Sequence, residues 1–173
     1  YYHTRNSLWL ECVVKEFDYF IANGHEKAHD HWLAYCSNEL VMHCPERQYF
    51  AFAVRNIAGY VDFIRDRVTT FPTLLELSMA FHKTLLKLET RPDLADVLNG
   101  FDVNAFYQAL HTRANYLLNG FFWPEVAMYF KAPATVVDGF FIRHHGFRVR
   151  IDDVEHYLSG LVAYQQLLCK GKY

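Results

Sequence analysis

The residues best suited to chemistry in this chain are histidines, arginines and carboxylates set at short spacing. His25-Glu26-Lys27-Ala28-His29 is a literal H-E-x-x-H. On a helix, histidines four apart share a face and reach one zinc ion, with the glutamate as general base. Lys27 puts a charge where zinc hydrolases use uncharged residues. The 24 residues before the motif read as helix rather than strand, and no third ligand is evident beyond Glu46 at the start of the next helix. These surroundings favour a histidine-rich helix end beside Trp32. A structural or regulatory ion on His25 and His29 lies between the two readings.

Arg150 and His156 form a second pair, and Asp152, Asp153 and Glu155 a third group. The carboxylates could hold magnesium. They are also what the first turn of a helix favours through capping and the macrodipole, and that explanation suffices. No Gly-rich phosphate loop, no G-x-S-x-G and no CxxC pair occurs.

The elements that must position these residues are mostly helical. Apolar residues at helical spacing predict helices over residues 4–21, 25–43, 45–68 and 73–88, punctuated by Asn23-Gly24, Cys44-Pro45 and Phe71-Pro72. Pro92 opens a short turn closed by Asn99-Gly100. Asp102 caps a helix through Leu117, and Pro124 starts another short piece. The period changes after Pro133. Phe140 to Arg143 and Phe147 to Ile151 flank His144-His145-Gly146, and the second run alternates Phe147, Val149 and Ile151 with Arg148 and Arg150. Period two around a glycine predicts a β-hairpin. Asp152 then caps a final helix through Leu168. The expected fold is mainly α, one domain over 1–173: a compact helical bundle (1–131), then one C-terminal β-hairpin and final helix (139–169) packed against it.

Composition sets the outer bounds. An apolar fraction of 52% with 15 Phe and 12 Tyr supplies a core and excludes disorder. A net charge of −2 without a dense basic block argues against nucleic acid as partner. No apolar run is long enough for a membrane helix, and no secretory leader pattern is present. Cys12, Cys36, Cys44 and Cys169 are expected to be reduced, largely buried thiols of a cytoplasmic protein.

A lone two-stranded ribbon must pack on the bundle and leaves strand edges. Such an edge can receive an extended peptide through main-chain hydrogen bonds. Phe140, Ile142, Arg143, His144, Phe147, Arg148, Val149 and Arg150 are therefore the expected peptide- and partner-binding residues. Arg143, Arg148, Arg150, His144 and His145 would draw an acidic or carboxylate-bearing partner. The simpler alternative is a structural β-arm that shields the core.

Two resemblances bear on function. The spacing of Arg150 and His156 resembles the active-site motif of HEPN ribonucleases, helical proteins that set an Arg and a His near a dimer interface. Ile151 stands where that family usually has a polar residue, and a strand leading into the motif departs from it. Gly139–Gly160, with Phe-Phe-Ile-Arg-His-His-Gly-Phe-Arg-Val-Arg-Ile-Asp-Asp-Val-Glu-His-Tyr-Leu-Ser between, resembles the C-terminal region of the partner proteins of methanobactin biosynthesis, the MbnC type. That resemblance implies a non-catalytic helical subunit, with no cofactor of its own. It would pair with an iron-dependent oxygenase and help hold the leader of a precursor peptide whose cysteines become copper-binding groups.

Overall fold

The computed structural model describes residue 1 and residues 3–171. The chain forms helices α1 (Ser7–Ala22), α2 (His31–His43), α3 (Arg47–Ala58), α4 (Val61–Asp66), α5 (Thr73–Leu88), α6 (Val103–Leu117), α7 (Pro124–Ala127), α8 (Pro133–Val136) and α9 (Ile151–Cys169), with 3-10 turns at His25–Ala28, Pro92–Leu98, Leu118–Gly120 and Arg143–His145. The mainly α expectation holds. No helix among the described residues is long and apolar enough to cross a membrane.

Two compact units divide these elements. The first comprises residues 1–61 and 80–102, the second residues 62–79 and 103–173. Helix α5 contributes to both.

In the first unit, Asn6 caps α1 by accepting from the Leu8 amide at 3.0 Å. Phe17 is buried edge-on against Tyr49 and Phe52 of α3. The predicted helix over 25–43 is broken, and the reason is local. Asp30 accepts from the Leu33 amide at 2.9 Å and starts α2 at His31. The Asp30 backbone is held in turn by both ends of the Asn56 amide, at 3.1 and 3.0 Å. That clamp leaves His29 left-handed at φ 51°. The helix expected over 45–68 is likewise interrupted between α3 and α4, where Gly59 follows the last turn of α3 and Tyr60 stacks on His29. Asn38 on α2 is buried. Its Nδ2 donates to the Ala80 carbonyl at 2.7 Å, and its Oδ1 accepts from Thr84 Oγ1 at 2.6 Å. These bonds tie α2 to the C-terminal part of α5.

In the second unit, Ile64, Leu75, Phe106, Leu110, Leu117, Phe122, Phe141, Ile142 and Tyr157 are buried. Gly160 lets α9 approach α5; a Cβ there would stand 3.1 Å from Leu75 Cγ. Arg113 lies on the buried face of α6 and is only 1% exposed. Its Nη1 donates to the Arg67 carbonyl at 2.8 Å and its Nη2 to the Thr69 carbonyl at 2.7 Å, fixing the segment between α4 and α5.

The predicted C-terminal β-hairpin is absent. Among the described residues there are only two isolated bridges, Phe121 with Phe140 and Ile142 with Arg148. Residues 139–141 pair with 120–122 instead, through Phe122 N–H to Gly139 O at 2.9 Å and Phe141 N–H to Gly120 O at 2.8 Å. Beyond Ile142 the chain makes a 3-10 turn, and Gly146 and Phe147 follow with φ of 64° and 60°. Two consecutive left-handed residues turn the backbone out of the extended conformation that a ladder needs. One hydrogen bond, Ile142 N–H to Arg148 O at 2.8 Å, closes the loop. The second run stops at Arg150, which is the N-cap residue of α9, so Ile151 is helical and Asp152 lies in the first turn rather than at the cap.

The cysteines are free, as expected, but not buried: Cys12, Cys36 and Cys169 are exposed and Cys44 is half-buried.

Candidate functional site

The loop from Phe140 to Arg150 holds all the residues expected to bind a partner, and the structure sorts them into three groups. Phe140 and Ile142 are buried: Phe140 stacks on Tyr157 at 4.6 Å, and Ile142 has no exposed surface. Neither is available to a ligand. Phe147 rests against Phe141 and Phe130, at 5.0 and 5.4 Å between ring centres, and keeps one edge in solvent. Val149 and Ile151 are exposed.

The cations divide as clearly. Arg150 Nη2 pairs with Asp152 at 2.6 Å and its Nε with Asp153 at 3.1 Å, while Arg148 reaches Asp153 at 3.3 Å. Asp153 is buried, so these two arginines form the walls of an internal charge cluster at the start of α9. Arg143 does otherwise. Its backbone amide donates to Thr70 Oγ1 at 2.9 Å, which fastens the loop to the segment before α5. Among the described residues its exposed guanidinium makes no hydrogen bond or ion pair.

Arg143 and His144 line a pocket of about 430 Å³ with Val68, Thr70 and Tyr116. Burial holds the His144 imidazole below the ordinary histidine value, and His145, Arg67 and Arg148 push the same way. The rings of His144 and His145 sit edge-on to Phe71 at 4.9 and 5.3 Å. Arg113 touches two of the segments that line this pocket. It grips the carbonyls on either side of Val68 and faces the Tyr116 ring at 4.7 Å. Burial lowers its pKa to about 10, so it is charged at neutral pH. No carboxylate among the described residues pairs with it.

Asp62 and Asp66, the acids nearest Val68 in sequence, are already engaged. Arg65 binds Asp66 with two hydrogen bonds of 2.8 Å and reaches Asp62 at 2.8 Å.

The other sequence candidates are not assembled as their chemistry requires. His25–Ala28 is a 3-10 turn and His29 is left-handed, so the helical face that would aim both imidazoles at one zinc ion does not form. His25 stacks on Phe20 at 5.1 Å, His29 Nδ1 meets the Asn56 carbonyl at 2.7 Å, and Glu26 pairs with Arg55 at 3.0 Å. His156 turns inward, its Nδ1 2.6 Å from the buried Glu76 carboxylate, while Arg150 is held by Asp152 and Asp153. Asp152 and Asp153 are thus bound by arginines rather than open to a cation.

The first unit carries a groove of about 620 Å³ lined chiefly by Trp9, Val13, Trp32, Tyr35, Glu39 and His43. Cys36 also lines it. Burial and the nearby Asp30 and Glu39 carboxylates push its thiol up, which keeps it protonated and a poor nucleophile.

Sequence reasoning missed Thr70, Tyr116 and Arg113. One signal was present: Arg113 falls in the phase of Phe106, Leu110 and Leu117, and an arginine on a core stripe marks a buried cation. No family model, curated protein or solved structure matches this chain.

Proposed function

We propose that this chain is a non-catalytic helical accessory subunit. It binds a partner enzyme and helps hold the leader of a precursor peptide during biosynthesis of a ribosomal peptide natural product. On the resemblance of Gly139–Gly160, the partner is an iron-dependent peptide-modifying oxygenase and the product a copper chelator of the methanobactin kind. The carrying observation is the exposed Arg143, whose guanidinium has no partner among the described residues. It stands beside His144, His145 and the half-exposed Phe147 in the same stretch that bears the resemblance. Cationic and aromatic groups side by side suit a peptide with acidic and apolar residues. Recognition here is by side chains; docking along a strand edge is withdrawn with the hairpin. Exposed Trp9 and Trp32 in the first unit add the residue type that dominates protein interfaces.

The test is fluorescence anisotropy with a labelled leader peptide of acidic and apolar residues. Arg143→Glu with His144→Glu is expected to weaken capture at least about tenfold with an unchanged far-UV spectrum. Equal affinity for wild type and variant would remove the reading. Arg148→Glu and Arg150→Glu are unsuitable probes, because they strand the buried Asp153 and test folding instead.

A further inference from the structure

We propose that the pocket of Val68, Thr70, Tyr116, Arg143 and His144 is an oxyanion site that takes one carboxylate or phosphate group. The inference rests on reading the 143–150 loop as a recognition surface, and it names the chemical group recognised.

Three observations carry it. Arg143 offers an uncommitted guanidinium, a planar fork of donors that matches the paired oxygens of a carboxylate or phosphate. Its neighbours Thr70 and Tyr116 each bring a hydroxyl, and His144 an imidazole, so the lining is rich in donors and contains no carboxylate. The second observation is Arg113. Its two hydrogen bonds end on neutral carbonyls and its buried Nε has no partner, so its charge is uncompensated. It holds the carbonyls flanking Val68 and faces the Tyr116 ring, so an anion held against those two lining residues would feel its charge through low-dielectric material. Third, the cations of this region fall into two sets. Arg65, Arg148 and Arg150 each have an aspartate, whereas Arg67, Arg113 and Arg143 have none among the described residues. Arg67 instead bonds Thr69 Oγ1 at 2.8 Å and lies over the Phe63 ring at 4.8 Å. Of the uncompensated set, Arg143 lines the pocket with His144, Arg113 holds the carbonyls on either side of its Val68, and Arg67 acts on His144.

A consequence follows for His144. Its pKa is lowered by burial and by the neighbouring His145, Arg67 and Arg148, which disfavour a positive charge on it. An oxyanion in the pocket offsets part of that positive charge and favours the protonated ring, so binding raises that pKa and takes up a proton.

The experiment uses the full chain and follows the His144 ring signal by NMR, assigned by its loss in His144→Asn. It is titrated with inorganic phosphate and, separately, with a short oligoglutamate peptide. Saturable shifts of the His144 signal, an upward move of its pKa, and about tenfold weaker binding in Arg143→Gln are expected, with Arg47→Gln in the first unit unchanged. Arg143 is exposed, so its substitution leaves the fold intact. Mutual competition between phosphate and peptide supports one site for both. Binding of phosphate alone supports the pocket, assigns it to the free ion and defeats the peptide-holding function. Capture of the leader peptide without any His144 shift overturns the pocket and leaves the accessory reading standing, whereas equal capture by Arg143→Gln overturns both. No shift with either probe at millimolar concentration overturns the oxyanion site.

Discussion

Asn38 in the first unit and Arg113 in the second do the same mechanical work with opposite electrical results. Each is buried on a helix and donates to main-chain carbonyls of a segment far away in sequence. Asn38 is neutral, and its own carbonyl oxygen is taken by Thr84, so the junction closes on itself. Arg113 holds two carbonyls as firmly but leaves a net positive charge inside the protein. A neutral staple contributes only to stability. A charged one also sets a potential, and in this chain that potential lies next to the pocket with the uncommitted Arg143.

The comparison is broken most severely by Arg113→Ala. Two buried carbonyls lose charge-assisted bonds at once, and the segment 67–69 is released; a loss of about 3 to 5 kcal/mol is expected in denaturant titration. Amide exchange should show the loss in α6 and residues 67–70. If protection there stays at the wild-type level, Arg113 is not the clamp described. Asn38→Ala should cost less, about 2 kcal/mol, because neutral hydrogen bonds are lost and water can enter the space. Its effect belongs in α2 and the C-terminal part of α5, and it should leave phosphate binding untouched. A change in anion affinity in that variant would erase the distinction between the two residues.

The smallest effect is with acid. Arg47, Arg65 and Arg91 hold Asp96, Asp66 and Asp93 below the ordinary carboxylate range, chiefly by hydrogen bonding. Folded values below the unfolded ones mean that the stabilisation is present at neutral pH and lost as pH falls through the folded values. These pairs are exposed, so the decline should be shallow and damped by salt. A steep, salt-independent loss above pH 5 would point to buried groups in place of these surface pairs.

How far the sequence foretold this structure depended on what held each element. Helices set by a stripe and a cap were legible: α1, α5 and α6 fall within a few residues of their expected limits, since the signals lie inside the segment. The break before α2 was not, because the force that makes it, the Asn56 amide on the Asp30 backbone, comes from 26 residues away. The alternation of Phe147, Val149 and Ile151 misled for a related reason. Its arginines are drawn to Asp152 and Asp153, and Phe147 to the ring cluster of Phe141 and Phe130, so the pattern served a turn and a helix start. Of the residues proposed for recognition, Arg143 and His144 were readable by charge. Thr70 and Tyr116 were not, because nothing local to them announces a pocket.

The chain leaves the first unit after Val61, returns to it midway along α5 and leaves again after Asp102. No single peptide-bond cleavage can therefore detach one unit from the other with each a continuous fragment. A protease cutting anywhere within 62–102 would yield two pieces that each lack part of a unit. Exchange of either unit as a cassette between genes would require three splice points, two of them inside helices.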